Sequence, residues 1–119
     1  MRDLSDFFKV LADEARLQML WLLFQRNELC VCDLMSVLDI GQSKASRHLA
    51  ALRAARLVND RKVGAWTYYS LRRDTDPMRQ AQIEQLRVWM ATRPNIALLN
   101  ERLEVLMKQK ECQPSCERS

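Results

Sequence analysis

Apolar residues recur along most of this chain at helical spacing, and the recurrence gives way to β-prone runs in one place. Leu4, Phe7, Phe8 and Leu11 fall at i, i+3, i+4 and i+7, which makes one stripe of a first helix. Asp13 is placed to N-cap a second helix that carries Leu17, Leu20, Trp21 and Phe24 on its inner side. A short third helix, from Val31 or Cys32 to Leu38, buries Leu34, Val37 and Leu38 and stops at an Asp39-Ile40-Gly41 turn. The fourth, from about Gln42 to Arg56, points Ala45, Leu49 and Leu52 inward and leaves Ser43, Ser46, Arg47 and Ala50 on an outer face. Two short helices joined by a tight glycine-containing turn, the second basic and outward-facing, predict a helix-turn-helix.

Beyond it, Leu57–Val63 and Trp66–Leu71 are β-prone runs around Gly64-Ala65, a hairpin signal. A helix-turn-helix followed by a basic hairpin predicts a mainly α fold with a small β-hairpin wing, the winged helix-turn-helix. Pro77 opens a further helix with Ile83, Leu86 and Met90 inward, and Pro94 separates it from a last one carrying Ile96, Leu99, Leu103 and Leu106. The 3,4,3 spacing of those four residues is that of a coiled-coil seam. With Leu4, Phe7 and Phe8 of the first helix and Ile83 and Leu86 of the one before the last, it predicts a homodimer built on the first and the C-terminal helices. At 119 residues one domain is expected, over 1–110, with 111–119 a flexible cysteine-containing tail.

Charge sharpens the picture. The chain nets +4, yet between Gly41 and Arg73 there are eight Lys or Arg against the single acid Asp60, so the remainder is acidic overall. Such clustering on one module fits a phosphate-backbone partner. No charge-free apolar run approaches the roughly 20 residues that span a bilayer, and the acidic N-terminus does not read as a signal peptide. A cytoplasmic protein is expected, in which four cysteines serve as metal ligands or redox sensors rather than structural disulfides. Cys30 and Cys32 stand two apart where the third helix begins, a clamp for a thiophilic ion. In a helix their side chains lie about 200° apart, so joining both to one centre predicts unwinding of the first turn, with consequences for the helix that follows. The same closeness in sequence argues against a relaxed disulfide between them. Cys112 and Cys116 lie in the tail, either idle or as additional ligands.

Four motifs in order carry a resemblance: Lys9 to Leu17 (KVLADEARL), Glu28 to Leu34 (ELCVCDL), Ser46 to Leu52 (SRHLAAL), and Arg61 to Trp66 (RKVGAW) with Tyr69 and Leu71. Together they resemble the ArsR/SmtB family of metal- and metalloid-responsive winged-helix repressors, and most of all its arsenic-responsive subgroup. The resemblance implies a homodimer on an inverted-repeat operator, released when trivalent arsenic or antimony binds cysteine thiolates. Met35 stands where that subgroup carries a third cysteine, and a thioether is a weak replacement.

The resemblance also weighs the alternatives. Zinc sensors of the family use Asp and His on the C-terminal helix, and 77–110 contains neither. Cadmium and lead sensors add cysteines from an N-terminal arm, and none precedes Cys30. A soft-metal (Cd/Pb) sensor would therefore need the tail cysteines, and a thiol redox or reactive-sulfur switch would use the same scaffold. No Cys-x-x-Cys, phosphate loop or His-Cys arrangement points to an enzyme. On DNA, Ser43, Lys44, Ser46 and Arg47 are expected at the major groove, with Gln42 and His48 at its margins and Arg61 and Lys62 of the wing on backbone phosphate.

Overall fold

The computed structural model describes residues 1–112. Its elements follow in the order α1 (Arg2–Leu11), α2 (Glu14–Gln25), β1 (Leu29–Cys30), α3 (Val31–Leu38), α4 (Gln42–Ala54), β2 (Val58–Val63), β3 (Trp66–Leu71), α5 (Pro77–Met90) and α6 (Pro94–Cys112). Helix α2 is the centre of the packing: Met19, Leu20, Trp21, Leu22 and Leu23 are all buried, because α1, α3, α4, α5 and α6 surround it. Its N-cap is Asp13, whose carboxylate accepts from the Arg16 amide at 3.1 Å and so satisfies a backbone donor that the first helical turn leaves without a partner.

Helices α3 and α4 form the helix-turn-helix. Asp39 ends α3 in the left-handed region at φ 55°, which a short polar side chain tolerates better than most, and the Ile40 amide returns to the Met35 carbonyl at 3.2 Å. Ala45, Leu49 and Leu52 of α4 are fully buried, as the spacing requires. Strands β2 and β3 pair antiparallel around Gly64, at φ 61°. The sheet has a third strand that periodicity does not reveal. The two-residue β1 pairs with β3, Leu29 opposite Tyr69 and Cys30 opposite Tyr68, giving the order β1-β3-β2.

The seam expected between subunits closes instead on the chain's own core. Ile96, Leu99 and Leu103 are buried in α6, which packs on α2 and α3. Two polar contacts fix its register: Trp21 Nε1 donates to Asn100 Oδ1 at 2.8 Å, and Arg102 donates to the Val37 carbonyl at 3.3 Å. Phe7 is likewise internal, and Ile83 and Leu86 are half-buried against the core. Phe8, of the expected set, stays exposed on α1, and the exposed large apolar residues of the C-terminal helices are others: Met78, Val88 and Trp89 on α5, Leu98 and Val105 on α6. Helix α6 runs through Cys112, two residues past the expected domain boundary, and Cys116 lies outside the described residues. None of the described helices is long and apolar enough to cross a membrane.

Leu103→Ala tests this placement. As a core residue it should lower the unfolding free energy by about 2–4 kcal/mol in urea titrations, whereas a residue serving only a contact between subunits would change dissociation and leave the protomer's stability nearly untouched.

Candidate metal centre and nucleic-acid interface

Cys30 and Cys32 meet at the junction of β1 and α3. Cys30 is the N-cap of α3, with extended backbone (φ −83°, ψ 164°), while Cys32 lies in the first helical turn. The structure joins them as a disulfide, with Cα atoms 5.4 Å apart. The expectation that a shared centre requires unwinding fails for one reason. It placed the two residues in a single helix, whereas one is in a strand and the other in a helix, so their sulfurs converge without unwinding any turn. Cys30 is fully buried and Cys32 half-buried.

Asp33 completes the cluster. Its carboxylate accepts from the Cys30 amide at 3.0 Å and from Lys110 Nζ at 3.1 Å, and it is almost completely buried. The ligand atoms of Cys30, Cys32 and Asp33 all lie within 4.8 Å of one another. The carboxylate is a hard oxygen already occupied in capping α3 and holding the end of α6, so the soft donors of the site are the two sulfurs. Met35 is half-buried among core residues. Asp33 and Lys110 escaped sequence reading: an Asp three residues after a cap is a recognisable signal, but a lysine 77 residues away is not.

The outer face of α4 presents Gln42, Ser43, Lys44, Ser46 and Arg47, all exposed, and none of these side chains is engaged in a hydrogen bond or ion pair among the described residues. His48 does not join them. It is buried beneath α4, where its Nδ1 accepts from Arg16 Nε at 3.0 Å with Asp13 at 3.9 Å, and Arg16 also donates to the Val10 carbonyl. The expected place at the groove margin is therefore taken by a packing role, tying the recognition helix to the α1–α2 corner. Burial holds the imidazole below its ordinary 6.5; Asp13 opposes this, and Arg16, Arg47 and Lys44 add to it.

The two wing cations differ. Lys62 is exposed and not engaged in an ion pair among the described residues, but Arg61 is held by Glu28 through Nε (2.9 Å) and a terminal nitrogen (2.6 Å), with its guanidinium 5.3 Å above the Tyr68 ring. This pairing draws the Glu28 carboxyl below its usual range. Other basic residues of the cluster are also engaged: Arg53 with Asp60 at 2.9 Å and Arg72 with Asp74 at 2.8 Å.

Two outcomes follow from this geometry. The unfolded chain takes up the His48 proton near its ordinary pKa while the folded chain resists it, so stability should fall as pH drops through about 6.5; thermal melts from pH 7.5 to 5.5 should show this slope, and His48→Gln should flatten it. Asp33→Ala should cost about 1–3 kcal/mol in chemical denaturation, since it removes a cap and strands a half-buried lysine.

Comparison with known proteins identifies the family. Residues 13–60 match the family described as bacterial regulatory protein, arsR family. The arsenical resistance operon repressor of Escherichia coli is 56% identical over 64 residues, a match that spans 54% of this chain and 55% of that protein. The arsenic resistance transcriptional regulator ArsR1 of Pseudomonas putida is 40% identical over 88 residues, covering 71% and 69%, and cadmium resistance regulators named CadC match at 38% over 68 residues. Among solved structures, reduced HlyU from Vibrio cholerae superimposes with a TM-score of 0.63 at 39% identity, over 74% of this chain and 88% of that one. The chain thus belongs to the ArsR family of bacterial regulatory proteins, winged helix-turn-helix transcriptional regulators rather than enzymes.

Proposed function

We propose that this chain is a metalloid-responsive repressor, which binds operator DNA as a homodimer and releases it when trivalent arsenic or antimony binds Cys30 and Cys32. The observation that carries the reading is the convergence of those two sulfurs at the junction of β1 and α3, one neighbour of which leads into the wing and the other into the recognition helix. Two thiols condense with arsenous acid by forming two As–S bonds and breaking two As–O and two S–H bonds, and two waters leave. The third arsenic position keeps its hydroxyl or takes another sulfur. The pairing of Lys110 with Asp33 brings the end of α6 to this site, and Cys112 follows two residues later, which makes Cys112 and Cys116 the candidates for that sulfur.

Ser43, Lys44, Ser46 and Arg47 supply the major-groove face, with Gln42 at its edge, and Lys62 and Arg61 meet phosphate. A second subunit covers the apolar residues left on α1, α5 and α6, and its two-fold axis calls for an inverted repeat in the operator. The cytoplasm, where thiols stay reduced, is the compartment in which the dithiol is available. The pairing of Cys30 with Cys32 favours one second reading on the same scaffold, a thiol switch in which the pair passes two electrons and two protons to hydrogen peroxide, giving a disulfide and two waters.

Reduced protein titrated with arsenite, a monomethyl arsenical, cadmium and hydrogen peroxide, with operator binding followed by anisotropy, separates the readings. Arsenite should weaken binding by an order of magnitude or more, about 1.4 kcal/mol of coupling. Cys30→Ser together with Cys32→Ser should bind DNA normally and ignore arsenite; release of that double variant by arsenite would remove the inducer assignment. If the tail completes the site, Cys112→Ser with Cys116→Ser should lose the arsenite response and keep the response to the monomethyl arsenical, which offers only two positions to sulfur.

A further inference from the structure

We infer that Glu28 couples the cysteine site to DNA binding, by competing with DNA phosphate for Arg61. This rests on the inducer reading above. The guanidinium presents one edge, Nε and a terminal nitrogen, to both Glu28 oxygens, at 2.9 and 2.6 Å. That planar two-point contact is the one a phosphate would use, so the two acceptors exclude each other on that edge. Lys62, beside it, has no such restraint among the described residues. Docking that edge of Arg61 on phosphate therefore requires it to exchange one anion for another, and whatever strengthens its hold on Glu28 weakens this contact with DNA.

The cysteine pair is placed to set that hold. Glu28 immediately precedes β1, and β1 consists only of Leu29 and Cys30. Cys30 lies opposite Tyr68 of β3, and Tyr68 lies opposite Arg61 of β2, so inducer site, aromatic platform and wing cation form one row across the three-stranded sheet. Arg61 rests over that Tyr68 ring. Arsenic inserted between the sulfurs of Cys30 and Cys32 fixes their separation and so repositions Cys30, the last residue of a two-residue strand; Glu28, two residues earlier on the same strand path, moves with it. The pair is already formed without inducer and there yields Arg61 to DNA, whereas the inducer-bound arrangement strengthens it and keeps Glu28 on Arg61. Coupling thus runs through the edge of the sheet into the wing and needs no unwinding of α3.

The test uses the full-length reduced protein and a labelled duplex of the DNA immediately upstream of its gene, with and without arsenite. Glu28→Gln, which keeps size and loses charge, should tighten inducer-free binding about three- to tenfold, the scale of two surface ion pairs released per dimer. It should also shrink the arsenite-induced loss of affinity by a similar factor, while still taking up arsenite by thiol titration. Arg61→Gln should weaken binding and abolish the effect of Glu28→Gln, so that the double variant equals Arg61→Gln alone. Arg61→Lys, which keeps the charge and gives up the two-point contact, should bind DNA and respond weakly to arsenite. Additive effects of Glu28→Gln and Arg61→Gln, or an unchanged affinity and arsenite response in Glu28→Gln, would overturn the inference. A wild-type protein that binds DNA but does not respond to arsenite would instead overturn the inducer reading, and the inducer-free comparison of the four proteins would still decide whether Glu28 competes for Arg61.

Discussion

The N-terminus of α3 is the point on which the rest of the structure depends. There the Asp33 carboxylate accepts the Cys30 amide and the Lys110 ammonium together, deep in the protein. A capped helix start fixes where the strand ends and the helix begins, and that change of backbone conformation brings two cysteines only two residues apart to one place. It also fixes the length of β1, and with it the position of Glu28. The ammonium of Lys110 offsets the cost of burying a carboxylate and in doing so pins the far end of α6 to the same spot. One carboxylate thus sets the geometry of the sulfur pair, of a sheet edge and of the C-terminal helix.

Packing around α2 explains why one face of the helix-turn-helix is buried and the other is left to solvent. Ala45, Leu49, Leu52 and His48 anchor α4 from below, His48 through Arg16 to the corner between α1 and α2. The opposite face of α4 carries side chains whose polar groups the described chain leaves to solvent. A surface made of Gln42, Ser43, Lys44, Ser46 and Arg47 costs nothing to keep hydrated and is ready to exchange water and counterions for a polyanion. The basic residues nearby are not equivalent: Arg61, Arg53 and Arg72 already share their charge with Glu28, Asp60 and Asp74, whereas Lys44, Arg47 and Lys62 have no such pair among the described residues.

Much of this was legible in the sequence. Periodicity located the helices within a few residues, because a helix that buries one face repeats its apolar residues whatever it packs against. Asp13, Gly41, Gly64, Pro77 and Pro94 act through their own backbone and capping chemistry, so their meaning is local. The division of α4 into buried Ala45, Leu49 and Leu52 and exposed Ser43, Ser46 and Arg47 follows from the same geometry. The presence of a thiol pair at the start of α3 was equally plain.

What the tertiary structure alone decided is which partner each stripe and each charge meets. The apolar stripe of α6 has the spacing of an intersubunit seam, but spacing carries no information about the neighbour, and α2 and α3 claimed Ile96, Leu99 and Leu103 first. A strand of two residues has no period to recognise, and without β1 the convergence of Cys30 and Cys32 could not be foreseen. His48 lies in a sequence full of DNA-facing residues, yet its position on the helix turns it inward to Arg16. The pairs Glu28–Arg61 and Asp33–Lys110 join residues 33 and 77 positions apart. Side-chain chemistry permits many such pairs, and only the folded path of the chain selects among them.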